Sequence, residues 1–179
     1  MTIHRDFFSS IFSERPKKIL EAGCGPALFS IHLSKLGYEC VAIDRDPKIL
    51  ELARKNNQKF GGNVRFIKAD IERLPLRDAE FDLSFSQGVF EHYSDREIRR
   101  MIDEQLRISK KVLFSVPHFF YLHKDFGNER LLPKWRWEKI LRGYSVAESR
   151  CYYPLRRKKT LFLKLPQMYM AKIQLCASR

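Results

Sequence analysis

The order of its segments constrains this chain more than any single residue does. From residue 17 to residue 117, short apolar runs alternate with stretches of helical apolar spacing. KKIL (17–20), ECVAID (39–44), VRFIKAD (64–70), FDLSFSQ (81–87) and KVLFSVP (111–117) read as strands. PALFSIHLSKLG reads as a helix ended by Gly37, and DPKILELARKNN as one with Asp46 at its N-cap and Pro47 at the first position. DREIRRMIDEQLRIS (95–109) places Ile98, Met101, Ile102 and Leu106 on one face, with Asp95 as the predicted cap. A short helix over 6–14, capped by Asp6, precedes the series. Strands alternating with helices imply a parallel sheet with helices on both faces.

The pattern changes near the end. RWEKILRG (136–143) reads as a helix, then YSVAESRCYY (144–153) and QMYMAKIQLCAS (167–178) as two long strands. The 13 residues PLRRKKTLFLKLP between them supply no helical crossover. An antiparallel hairpin added to five parallel strands is the expected outcome.

A chain of 179 residues can bury a proper core as one domain. The expected division is an N-terminal extension (1–15), a core (16–118) and a C-terminal region (119–179). No apolar run reaches the roughly 18 residues of a membrane helix, and the N-terminus lacks an apolar signal region, so a cytoplasmic protein is expected. The four cysteines, Cys24, Cys40, Cys151 and Cys176, are scattered without a C-x-x-C pair, which argues against a disulfide framework or a metal site. The net charge of +13 suggests an anionic partner or, more plainly, a cationic solvated surface. It is uneven: Arg130 to Lys164 holds eleven Lys or Arg against two acids.

The first strand runs into EAGCGPALFS (21–30). In an open α/β sheet ligands sit beyond the carboxyl ends of the strands. Gly23 and Gly25 let the backbone pass under a ligand, and the helix behind them offers unpaired N–H groups. Asp44 closes the second strand 21 positions after Gly23, the separation at which an acid accepts ribose hydroxyls. A dinucleotide loop wants G-x-G-x-x-G, but its last position here is Leu28. Glu21 would repel a pyrophosphate, yet it could accept a bond from an ammonium group. A ligand with ribose at one end and an amino acid at the other fits better, and S-adenosylmethionine is one.

These residues carry a family resemblance. ILEAGCGPALFS resembles the first motif of class I S-adenosylmethionine-dependent methyltransferases, AIDRDPKILELARK their acidic-loop region, and VRFIKADIERLPLRDAEFDLSFSQGVFEHYSD the next two motifs of the "type 11" branch. The match holds register from about 16 to 118. It implies a Rossmann-like, doubly wound, mostly parallel seven-stranded sheet with a C-terminal antiparallel hairpin. It also implies S-adenosylmethionine as cofactor and no metal. By the resemblance, Glu21, Gly23 and Gly25 line the methionine moiety. Asp44 holds the ribose and Arg45 lies along the adenine. Asp70 receives the adenine amino group, Ile71 packs on the ring, and Gln87 borders the transferable methyl. The departure is Ala27, where many members have a third glycine.

If the acceptor is a hydroxyl or ammonium, a general base assists. His92 and His118 are the candidates, although Glu91-His92 is also a common fold element of the family. Ser86-Gln87-Gly88-Val89 differs from the D/N-P-P-Y/F of enzymes that methylate base amines, and Ser115-Val116-Pro117 lacks the cysteine of cytosine C5 enzymes. Acceptor specificity is expected in 119–166, against a small-molecule or lipid-like acceptor. Arg156, Arg157, Lys158 and Lys159 at the hairpin tip could instead touch RNA or an anionic membrane surface. A non-catalytic binding module is the remaining alternative. Phe7 and Phe8 are expected to cover the cofactor.

Overall fold

Four of the five residues of strand β1 (Lys18–Ala22) are buried, which requires cover on both faces of the sheet. The alternation of side chains supplies it. Leu20 and Ala22 join one apolar cluster, while Ile19 joins the other. The computed structural model describes residues 4–121, 127–156 and 164–175.

The seven strands are β1, β2 (Glu39–Asp44), β3 (Val64–Lys68), β4 (Leu83–Gln87), β5 (Lys111–Pro117), β6 (Ser145–Arg156) and β7 (Lys164–Gln174). They form one sheet in the order β3-β2-β1-β4-β5-β7-β6. The first five are parallel, and β7 pairs antiparallel with both β5 and β6. The expected fold class therefore stands: a doubly wound sheet with a hairpin at its far side. The strand order reverses between β1 and β4, and this opens a crevice at their carboxyl ends.

Helices α1 (Arg5–Ser13), α2 (Leu28–Lys35) and α3 (Pro47–Phe60) bury Phe7, Ile11, Ile31 and Leu50 in one cluster. Helices α4 (Asp95–Ile108) and α5 (Lys134–Ile140) bury Ile98, Ile102, Trp137 and Ile140 in the other. Lys172 of β7, 11% exposed, pairs with Glu14 (2.6 Å) and Glu148 (3.4 Å), and Glu148 accepts from Ser10 of α1 (2.7 Å). Charge pairing thus ties the N-terminal helix to the hairpin. No helix among the described residues is long and apolar enough to cross a membrane.

Several boundaries differ from expectation. Helix α1 starts before Asp6, which lies in its first turn, and His4 takes the cap position. Helix α2 starts at Leu28, because Ala27 is left-handed and Pro26 lies in the loop. Ser94, not Asp95, caps α4: its hydroxyl accepts from Glu97 N–H while the Glu97 carboxylate accepts from Ser94 N–H. Helix α5 covers Lys134–Ile140 rather than 136–143. Strand β3 stops at Lys68 and β4 starts at Leu83, with Phe81 making only an isolated bridge to Ser109. Strands β6 and β7 run further toward the tip than 153 and 167. Of the four tip cations, Arg156 ends β6, and Arg157, Lys158 and Lys159 lie outside the described residues.

Strand β6 borders the sheet, and it is irregular. Its register shifts between Val146 and Glu148, and Tyr153 holds a left-handed backbone at φ 54°.

Candidate functional site

The loop after β1 is shaped by its own backbone. Gly23 N–H and Cys24 N–H both donate to the Ile43 carbonyl, at 3.0 and 2.8 Å, which ties the loop to the end of β2. Gly23, Gly25 and Ala27 have φ of 72°, 50° and 58°. A Cβ on Gly23 would stand 2.8 Å from Val89 Cγ2, so no side chain fits there without displacing a stiff neighbour. Ala27 adopts the conformation that a third glycine would take freely, and its methyl is fully buried.

Asp44 organises the loop from the neighbouring strand. One carboxylate oxygen accepts from Gly25 N–H at 3.1 Å, and the other from Asp46 N–H at 3.0 Å. A carboxylate has about four acceptor positions, so capacity remains for a ligand's hydroxyls. Asp70 follows β3 and accepts from Glu72 N–H at 2.9 Å. Arg45 lies over the Tyr93 ring at 5.9 Å.

These residues enclose a cavity of about 380 Å³ at the crevice between β1 and β4. Gly23, Gly25, Asp44, Arg45, Asp70 and Ile71 all line it. Six of the eight residues expected to bind a cofactor therefore meet at one place. Gln87 ends β4, paired to Ser115, and the cavity wall on that side is made by Gly88 and Val89. Glu21 lies below the loop, 3% exposed, where its carboxylate accepts from Ser30 N–H of α2 at 3.1 Å. Burial pushes its pKa up to about 7; the Ser30 hydrogen bond opposes the rise and nearby Asp44 adds to it. Burial also pushes the Cys24 thiol up, with Glu21 and Asp44 adding to it, so it stays a protonated packing group.

The two histidines separate. His92 lines the cavity, with Nδ1 2.8 Å from Asn128 Oδ1. His118 is buried at the end of β5, its backbone N–H donating to the Gln167 carbonyl, and it is not among the lining residues. Burial holds its pKa below the usual histidine range. Phe7 and Phe8 do not cover the cavity. They pack on Phe29, Phe85 and Phe12, because the apolar face of α1 is used up against the sheet and α2. The sequence reading missed Ala69, Gly88, Val89, Tyr93 and Asn128 as lining residues. Gly88 and Val89 directly follow Gln87 and were within reach of the motif. Asn128 belongs to no recognisable pattern. Among the described residues, no group of three or more His, Cys, Asp or Glu could hold a metal ion.

Comparison with known proteins adds to this geometry. A family model described as a methyltransferase domain matches residues 19–111. The ubiquinone biosynthesis O-methyltransferase of Methylocella silvestris is 37% identical over 78 residues, 44% of this chain but only 30% of that protein. The fold is shared with the PH0226 protein from Pyrococcus horikoshii OT3, with a TM-score of 0.77, 17% identity, and coverage of 97% and 88% of the two chains. It is shared as well with magnesium protoporphyrin IX methyltransferase from Synechocystis PCC 6803 with bound SAH, at a TM-score of 0.70, 18% identity and coverage of 94% and 78%.

Proposed function

This chain belongs to the methyltransferase-domain family of S-adenosylmethionine-dependent enzymes, and on that premise we propose that it transfers a methyl group to a small-molecule or lipid-like acceptor. The observation that carries the reading is the convergence of the Asp44 carboxylate, the left-handed glycine loop and Asp70 on one cavity.

The residues present fit an aminoacyl-nucleoside. A Cβ on Gly25 would meet nothing within 4 Å, so the loop backbone is open at that cavity-lining position. Asp44 has acceptor capacity for ribose hydroxyls, and Asp70 with Ile71 offers a carboxylate beside an apolar surface for the base. Gly23 and Gly25 border the methionine end, and Arg45 closes the adenine end with Tyr93. Glu21 accepts from the α2 N-terminus beneath the loop and is not itself among the residues lining the cavity. When bound, S-adenosylmethionine supplies an activated methyl group on a sulfonium. The protein's own work is to align the acceptor and exclude water.

Small acceptors are favoured by the names of the relatives, one from ubiquinone biosynthesis and one acting on magnesium protoporphyrin IX. Calorimetry tests the cofactor reading. S-adenosylmethionine is expected to bind in the micromolar range, and Asp44→Ala to weaken it by about tenfold or more, the worth of hydrogen bonds to a charged group. Absence of binding by well-folded protein would sink the reading. Mass spectrometry of small molecules that copurify with the chain addresses the acceptor.

A further inference from the structure

The two tryptophans of this chain stand two positions apart and meet opposite surroundings. Helix α5 reads KWRWEKI, and residues two apart on a helix lie roughly 200° apart around its axis. Trp137 is fully buried, stacked on Tyr169 at 5.9 Å and packed on Phe114 at 5.5 Å. Burying Trp137 therefore turns Trp135 outward. Trp135 is 63% exposed, although tryptophan is highly buried on average.

A second exposed ring stands nearby. After β5 the chain turns at His118, where Tyr121 N–H donates to the His118 carbonyl at 2.8 Å, and Phe119 at the corner of that turn is 56% exposed. An isolated bridge pairs His118 with Leu132, three positions before Trp135. One fixed point thus holds both rings at the carboxyl ends of the strands, the end at which the cavity opens. Leu28, 48% exposed, starts α2 at the same end, directly after the glycine loop.

The cations around the rings are already engaged. Arg136 lies over the Trp135 ring at 5.8 Å and pairs at 3.2 Å with Asp95, which also receives Arg130. Lys134 pairs with Glu138 at 3.5 Å. A nucleic-acid strand needs cations free for its phosphates as well as rings for its bases, so this surface fits it poorly. Exposed indole and phenyl rings flanked by long cationic side chains match the boundary of a lipid bilayer instead. There the ring enters the acyl edge while the charge stays with the headgroups. The net charge of +13 supplies long-range attraction to an anionic leaflet.

We propose that Trp135 and Phe119 seat this chain on an anionic lipid bilayer, with the cavity end facing the membrane. A contact made by two rings and diffuse charge is peripheral and reversible. Its use, to give the cavity access to an acceptor dissolved in the lipid, rests on the methyltransferase reading above.

The test uses the full chain with vesicles of equal parts phosphatidylcholine and phosphatidylglycerol, and with vesicles of phosphatidylcholine alone. Sedimentation should show binding to the anionic vesicles and weaker binding to the neutral ones. On binding, Trp135 emission should shift to the blue and be quenched by lipids brominated on their acyl chains. In Trp135→Phe the remaining emission comes from the buried Trp137, which should not respond to lipid and reports an intact fold. Trp135→Ala should weaken vesicle binding by about tenfold, the scale of returning one large apolar side chain to water, and Phe119→Ala should weaken it further. No binding to the anionic vesicles, binding without acyl-chain quenching, or unchanged binding by the double variant overturns the proposal. So does salt-sensitive binding of a single-stranded RNA oligonucleotide that is lost in the same variants. Affinity for S-adenosylmethionine by calorimetry should match the wild type in both variants, because neither ring is among the residues lining the cavity. That calorimetry decides the methyltransferase reading by itself, so its failure and failure at the vesicle surface are distinct results.

Discussion

Glu21 links a single buried residue to the pH dependence of stability. In the folded chain its carboxyl titrates at about 7 instead of 4.5, because it is buried. The native state therefore keeps a proton that the unfolded chain sheds across that interval, so stability from this group is greatest below pH 4.5 and falls as pH rises toward 7. The loss is on the order of 3 kcal/mol when complete, at about 1.4 kcal/mol for each pH unit between the two titration points. Urea denaturation at about pH 5 and about pH 8 should show this loss in the wild type and a much flatter response in Glu21→Gln. Gly23→Ala tests steric demand at the same loop. The left-handed backbone and the 2.8 Å approach to Val89 predict a cost of about 1–3 kcal/mol in urea denaturation, with S-adenosylmethionine affinity falling alongside. Positions such as Gly23, Gly25 and Asp44 were legible in the sequence because their roles are set by local backbone geometry at fixed spacing. Asn128 was not, because its contact with His92 spans 36 positions and depends on how the Arg130 segment docks.

Helix α4 shows what decides an element's boundary. Ser94 and Asp95 are both competent caps, and residue type alone does not separate them. The deciding signal was the S-x-x-E pattern of Ser94 and Glu97, which permits the reciprocal pair of bonds seen in the structure. Ser94→Ala should cost about 1 kcal/mol by thermal or urea denaturation, whereas Asp95→Ala should affect mainly the docking of Arg130 and Arg136. The existence of the strands and main helices was readable, since the helices bury periodic apolar faces and the central strands are short apolar runs buried on both sides. Ends set by tertiary partners were less so. Strands β6 and β7 extend further toward the tip because each continues to find the other as a partner, pairing as far as Arg156 and Lys164.

All seven strands share one continuous sheet, and α1 is pinned to the hairpin through Glu14, Glu148 and Lys172. This arrangement favours a single cooperative unfolding transition, with calorimetric and van't Hoff enthalpies in agreement. S-adenosylmethionine at a hundredfold excess over its Kd should raise stability by about 2.7 kcal/mol, a rise in Tm of about 5–10 °C for a chain of this length, read by differential scanning fluorimetry. A Tm that ignores S-adenosylmethionine would contradict binding at a folded site. The borders of the sheet have a further consequence. At one side, β3 spans only Val64–Lys68 and exposes Arg65 and Lys68. At the other, the shifted register at Val146 and the left-handed turn of Tyr153 break the straight row of amides that another strand would copy. Among the described residues both rims are thus broken or charged, which disfavours a second molecule continuing the ladder, and thioflavin T fluorescence of concentrated protein should stay flat.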